Sequence, residues 1–309
     1  MIRLLHMLGW LTLLLGLLLQ IWLKDHDARW AVFFYAMPKP CLLGLSVWLT
    51  CWPKLSRSQR IPACLASLCL ALWWLSTSWC MSERASVPTK NALNDEPLTI
   101  LYWNLCRPNG IDQEMVDLVK QTQPDLAVFV EAGNAGSYLA KYSESLPDYR
   151  PELMQSGILR LSRLKTASNR SVLFPCMATY AQFDLAGRGP DFPVIVADIF
   201  PHMFHSRKPQ IDTVFAQTLR RPDAIVIGDF NTPLESVHLA QFRKHFTEAF
   251  EAAGFGLKET WPCGMPLLSI DHIWVGSDWE VLAADKFWRL TGSDHAALLV
   301  TLQRKSKTR

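Results

Sequence analysis

Leu4–Leu23 runs for twenty residues without a single Asp, Glu, Lys or Arg, and nothing else in the chain constrains its fold as strongly. A helix of that length rises ~30 Å, the thickness of a bilayer's hydrocarbon core. A secretory signal peptide is the competing reading. The stretch exceeds the usual apolar region of such a peptide, and no small-x-small cleavage site precedes Lys24-Asp25, so an uncleaved anchor is expected. Ile61–Met81 is a second such run. Phe34–Trp52 is a third, weakened by Pro38-Lys39-Pro40, although a lysine near a helix end can extend its ammonium to the headgroups. Trp22, Trp30, Trp52 and Trp79 stand at run ends, where interfacial aromatics are favoured. Three spans are expected over residues 1–81.

Orientation follows from loop charge. Pro53–Arg60 carries Lys54, Arg57 and Arg60 without an acid, which places it in the cytoplasm. Lys24–Arg29 is balanced by Asp25 and Asp27. Three spans put everything after Met81 on the periplasmic or extracellular side of an inner or plasma membrane. If Phe34–Trp52 does not cross, that part lies in the cytoplasm instead.

Residues 82–97 are polar, contain two prolines and show no periodicity, as a linker does. The composition from there on is that of a globular domain over 98–303, with a basic tail at 304–309. From residue 97, 22 Lys+Arg stand against 23 Asp+Glu, so charge alone does not argue for a nucleic-acid partner. Eight cysteines show neither a CxxC nor zinc-ligand spacing. Free thiols are expected, with one disulfide among Cys106, Cys176 and Cys263 as the alternative in an oxidising compartment.

Within the domain, β-branched and aromatic runs bounded by Gly, Pro, Asn or Asp predict strands. They fall at 98–106, 125–132, 157–164, 172–183, 193–200, 224–230, 269–276, 279–290 and 296–302. Helical spacing marks 111–122, 206–221 and 237–252. Many strands with few helices suggest two packed sheets with helices outside.

Polar residues interrupt the ends of several strands: Asn104, Glu131, Asp229 with Asn231, Asp271 with His272, and Asp294 with His295. A carboxylate at the end of a buried strand is costly unless paired or bound to a cation. Converging, these groups would make a site for a hard, oxygen-liganded ion such as Mg²⁺ or Mn²⁺. Each piece alone has an ordinary reading as a turn, a cap or a satisfied strand-end group. His272 is expected to pack, because strand alternation turns it away from the face of Asp271.

The order of these motifs resembles the endonuclease/exonuclease/phosphatase superfamily over about residues 98–303. They are Trp103-Asn104, Pro124 to Glu131, Ser156-Gly157-Ile158 with Ser162-Arg163, Gly228-Asp229-Phe230-Asn231, Ile270-Asp271-His272-Ile273 and Ser293-Asp294-His295. Thr260-Trp261-Pro262, with preceding spans, is similar to the bacterial membrane-anchored branch. The resemblance implies a four-layered α/β/β/α sandwich, DNase I-like, that hydrolyses a phosphodiester in nucleic acid or phospholipid with Mg²⁺ or Mn²⁺. It further implies that Glu131 ligates the metal, supported by Asn104 and Asp294. Asp229 would deprotonate water, Asn231 fix the phosphate, and His295, held by Asp271, stabilise phosphoryl charge. A nuclease is the first expectation; a phospholipase or sphingomyelinase-like enzyme, a small-molecule phosphatase and a non-catalytic scaffold are the alternatives. One departure is that the middle strand, Val196-Ala197-Asp198-Ile199-Phe200-Pro201, has no His where many members carry one; Asp198, His202 and His205 are the candidates to substitute, each with the plainer reading of a loop or strand-end residue.

Overall fold

The computed structural model describes residues 2–53, 55–82, 97–154, 157–173, 178–186, 191–202, 204–219, 221, 223–289 and 292–305. Most of the expected linker, Ser156 of one motif, Cys176 and the tail from 306 lie outside these. The chain forms two compact units: residues 1–79 with 202–206 and 235–238, and the remainder from 80 to 309.

The first unit is helical: α1 (Ile2–Leu18), continued by a π-helical turn at Leu19–Leu23, α2 (Ala28–Ala36), α3 (Lys39–Thr50) and α4 (Arg57–Ser78). Leu4–Leu23 and Arg57–Ser78 are long and apolar enough to cross a membrane, by length and composition alone. The expected span Phe34–Trp52 falls on a bent pair, α2 and α3, which together pass the same test but meet at 61°; they make a third span if the pair crosses as one. Pro38 cannot continue the helix, and the carbonyls left open at the break are filled from outside. Gln20 Nε2 donates to Phe34 O at 2.9 Å and to Met37 O at 3.0 Å. Lys39, at the start of α3, is buried, with its ammonium 2.8 Å from Thr77 Oγ1 and 2.9 Å from Glu235 Oε1.

The second unit is built on two six-stranded sheets. One runs β13 (Trp279–Phe287), β14 (Ala297–Arg304), β2 (Leu98–Asn104), β3 (Leu126–Val130), β5 (Ile158–Ser162), β4 (Arg150–Met154). The other runs β10 (Thr247–Glu248), β12 (Asp271–Val275), β9 (Ile225–Asp229), β8 (Phe192–Ile199), β7 (Ala178–Ala186), β6 (Lys165–Leu173). A short pair, β1 (Trp79–Met81) and β11 (Phe255–Leu257), stands apart. Alternation sends Leu98, Ile100, Tyr102, Val194, Val196, Ile225, Ile227 and Ile273 into one core between the sheets. The opposite faces carry the helices. α5 (Gln113–Thr122) and α6 (Leu139–Ser145) cover Leu101, Trp103 and Phe129. α7 (Lys208–Thr218) and α8 (Ala240–His245) cover Ile195, Val226 and Trp274. The four layers are the expected α/β/β/α sandwich.

The expected elements omit β4, most of β6 and α6, and two that are expected prove to be divided. The stretch 172–183 is not one strand, since β6 ends at Leu173 and β7 begins at Ala178. The helix expected over 237–252 is broken into a 3-10 turn, α8, β10 and α9 (Ala249–Ala253). Phe246 is extended, and Thr247 and Glu248 pair with Val275 and Trp274 of β12. Glu248 then starts α9 by accepting the Glu251 amide at 2.7 Å. A ladder and a cap together outweigh the propensity of one continuous helix. Cys106 and Cys263 are free thiols.

Candidate active site

The register of three neighbouring strands sets the centre of the site. Asp229, the last residue of β9, lies opposite Asp198 of parallel β8 and opposite Asp271 of antiparallel β12. Three carboxylates therefore stand side by side at the rim of one sheet, all on the face that carries the inter-sheet core. From the other sheet come Asn104, ending β2, and Glu131, directly after β3. β9 and β8 can run this close because residue 228 has no side chain: a Cβ on Gly228 would lie 1.8 Å from Ala197 O.

Hydrogen bonds join the two sheets here. Asn104 Nδ2 donates to Asp229 Oδ2 at 3.0 Å, while its Oδ1 accepts the Cys106 amide at 2.9 Å. The Asn231 amide donates to Asp229 Oδ1 at 2.7 Å, and its side chain donates to Ile199 O at 2.8 Å. Arg207 donates to Asn231 O. His295 Nδ1 is 2.9 Å from Asp271 Oδ2, leaving Nε2 4.0 Å from Asp229 Oδ2 and 3.8 Å from Asp294 Oδ1. Asp229, Asp271 and His295 present ligand atoms within 4.8 Å of one another. The site thus gathers Asn104, Asp229, Asn231, Asp271, Asp294 and His295.

Glu131 sits at the same edge, its carboxylate paired with Arg107 at 3.1 Å and bearing on Asp198. Cys106, Arg107, Glu131 and Asn231 all adopt positive φ, between 46° and 56°. Such backbone is rare for residues with a Cβ and concentrates at functional sites.

The electrostatics are those of crowded negative charge. Burial pushes the Asp198 carboxyl up to about 7, and the Glu131 charge adds to it. Burial and then Asp271 raise Asp229 well above the ordinary carboxylate range. Burial alone would lower His295, but the charge and hydrogen bond of Asp271 hold it up to about 10, so it is a cation at neutral pH. Fully ionised, Glu131, Asp198, Asp229, Asp271 and Asp294 would set five negative charges against the positive charges of Arg107 and His295, which is why Asp198 and Asp229 hold their protons so tightly. A hard cation relieves that excess. Two of the carboxylates, Glu131 and Asp294, are reachable, with side-chain exposures of 17% and 48%. The donor set fits Mg²⁺ or Mn²⁺.

Of the other candidates, His272 packs as expected. It is fully buried, its Nε2 lies 2.8 Å from Thr232 O, and burial lowers it to about 4. His202 and His205 face one another, Nδ1 to Nδ1 at 2.7 Å, within the first unit. Sequence reasoning misses Tyr102 and Arg107, and it singles out Trp261 only as part of a motif, with no place in the site. Tyr102 Oη donates to Asp271 Oδ1 at 2.9 Å, and Trp261 Nε1 donates to Asp294 Oδ2 at 2.7 Å. Tyr102 shares strand parity with Asn104, which is the signal that could find it; Arg107, in a loop, has no such signal.

The family model described as Endonuclease/Exonuclease/phosphatase family matches residues 101–295. No curated protein matches the chain. Among solved structures, an endonuclease/exonuclease/phosphatase family protein from Bacteroides thetaiotaomicron is 17% identical, with 69% of this chain and 100% of that one covered and a TM-score of 0.57. D. rerio TDP2 complexed with single strand DNA product is 16% identical, covering 68% and 100%, with a TM-score of 0.54. The human Nocturnin catalytic domain with bound sulfate is 17% identical, covering 68% and 96%, with a TM-score of 0.50. These likenesses show the fold.

Proposed function

The chain belongs to the Endonuclease/Exonuclease/phosphatase family, and from that premise we propose that it is a membrane-anchored phosphoesterase, dependent on Mg²⁺ or Mn²⁺, that hydrolyses a phosphodiester. The observation that carries this is the meeting of Asp229, Asp271 and His295 within 4.8 Å at the rim where Asn104 of the opposite sheet also ends.

Glu131, with Asn104 and Asp294, would hold the ion, which neutralises phosphate charge and lowers the pKa of bound water. The remaining chemistry belongs to the chain. Asp229, fixed by the Asn104 side chain and the Asn231 amide, orients water and takes its proton. Asn231, held by Ile199 O and Arg207, fixes the phosphate. His295 enters as imidazolium, its charge maintained by Asp271, and stabilises the phosphoryl oxygens as they gain charge.

Nucleic acid is the first substrate class, supported by the fold shared with D. rerio TDP2, which was solved with a single-strand DNA product. A phospholipid is the second reading, favoured by Leu4–Leu23 and Arg57–Ser78, which would tether the site beside a bilayer. The test is the full-length protein in detergent with Mg²⁺ or Mn²⁺, given bis-p-nitrophenyl phosphate, single-stranded DNA, plasmid DNA and phospholipid vesicles. Metal-dependent turnover that is lost in Glu131→Ala and His295→Ala is expected. Metal binding without turnover on any of these substrates would refute the enzyme in favour of a scaffold. A reporter fused after Arg309 that is active only in the cytoplasm would overturn the proposed periplasmic or extracellular side.

A further inference from the structure

Three consecutive residues at the end of β2 each bind a different part of the site. Asn104 reaches Asp229, Trp103 Nε1 donates to His295 O at 2.8 Å, and Tyr102 Oη donates to Asp271 Oδ1 at 2.9 Å. The loop carrying His295 is further closed onto β2 by Ser293. Its hydroxyl donates to Asn104 O at 2.6 Å and accepts the His295 amide at 3.0 Å. β2 and β12 belong to opposite sheets, so the Tyr102 phenol spans the inter-sheet core to reach its acceptor.

We propose that Tyr102 is the positioning residue for the Asp271–His295 pair, orienting through its hydroxyl the carboxylate that in turn orients the imidazole. The two oxygens of Asp271 are divided between two donors: Tyr102 holds Oδ1, and His295 Nδ1 faces Oδ2 at 2.9 Å. A carboxylate with one donor can rotate about its terminal bond, and each rotation moves the imidazole's acceptor. With both oxygens engaged, Asp271 has one orientation, and His295 Nε2 points at Asp229 and Asp294. Tyr102 is fully buried, and burial with the Asp271 charge keeps the phenol protonated far above neutral pH, so it is the donor in its bond to Asp271. The Ile100 and Leu98 side chains on the same face of β2 fill the core without any polar group. A phenylalanine would suit that packing equally well, so the hydroxyl needs a reason beyond packing. Buried polar atoms that touch a site's charged groups typically act by fixing geometry.

The kinetic arm of the test rests on the hydrolase reading above; a spectroscopic arm does not. Tyr102→Phe removes one oxygen and keeps the ring. In the full-length protein with Mg²⁺ we expect kcat to fall roughly 10- to 100-fold, the worth of a hydrogen bond to a charged group, with KM little changed. In an Asp271→Ala background, which leaves the phenol no acceptor at that position, the same substitution should cost almost nothing further, because Tyr102 acts through that carboxylate. An equal loss in both backgrounds, or none in either, overturns the proposal. Independently of turnover, the His295 Nδ1 proton, observed by NMR with ¹⁵N-histidine, should move downfield in Y102F, as Asp271 has only the imidazole left to bind. It should stay in place in Tyr142→Phe, a buried tyrosine outside the site. A resonance unmoved in Y102F overturns the proposal even if no substrate is turned over, whereas a moved resonance without turnover would remove only the hydrolase reading.

Discussion

Replacing Asp271 with Asn tests how the site keeps His295 charged. In the native protein burial opposes the imidazolium, and Asp271, 2.9 Å away, overcomes it to hold the group up to about 10. Asp229 at 4.0 Å and Asp294 at 3.8 Å are weaker and more distant supports. Asparagine keeps the shape and an acceptor oxygen but removes the charge. The imidazole should then fall to its ordinary value of ~6.5 or below, a change of three or more pH units, on the order of 4 kcal/mol against the cation. His295 has 7% of its surface exposed, so solvent screening does little to soften that change. The assay is kcat against pH at saturating substrate and metal. The native protein should hold its rate from neutrality to near pH 10. In D271N the alkaline limb should move to about pH 6.5, leaving a loss of roughly 100-fold by about pH 8.5, while much of the rate survives near pH 6. If both proteins share one alkaline limb, His295 does not act as a cation, and the role derived for Asp271 is wrong.

Four other outcomes are expected. Glu131→Gln should weaken Mg²⁺ binding, read by calorimetry, while leaving the fold intact, since that side chain lies at the site's open edge. Mg²⁺ itself should raise the melting temperature of the native protein, and a chelator should reverse the rise, because a bound cation offsets the repulsion among Asp198, Asp229 and Asp271. Gly228→Ala should abolish folding or activity, as the added methyl would meet Ala197 O at 1.8 Å. Glu248 is pushed by burial from 4.5 to about 7. A carboxyl raised on folding contributes stability that is fully present below its ordinary value and lost as pH climbs through the folded one. Between about pH 4.5 and pH 7 the contribution of Glu248 to stability should therefore fall by about 3 kcal/mol. Glu248→Gln, which keeps an acceptor for the Glu251 amide, should change the native pH dependence by that amount in denaturation measured across this range, the shifts of Asp198, Asp229 and His272 being common to both proteins.

The legible parts of the site are those governed by strand parity and local motif. Asp229 and Asn104 end strands and Asp271 begins one, all with alternation that can be read directly, and parity also tells His272 apart from Asp271. The parts that escape depend on partners distant in sequence. The break at Phe246–Glu248 follows from pairing with β12, nearly thirty residues on, and nothing in the helical spacing of 237–252 announces it. The bend at Pro38 is visible in sequence, whereas its repair by Gln20 is not, because the donor lies on another helix. Tyr102 reads as one more apolar strand residue. Its hydroxyl acquires meaning only once the second sheet brings Asp271 across the core. Asp198 stands out in the sequence only for what it replaces, and the register with Asp229 is what places it beside the reaction centre.

The position of β14 bears on when such an enzyme could first act during its synthesis. This strand follows β2, the first strand of the domain, by almost two hundred residues, yet it lies between β13 and β2. A nascent chain would hold β2 without its neighbour until residues 297–304 emerge, and His295 arrives just ahead of them. Every carboxylate up to Asp271 would by then have left the ribosome without its imidazole. Hydrolytic competence would wait on this one pairing, and a product that stops before Ser293, lacking both β14 and His295, should be inert.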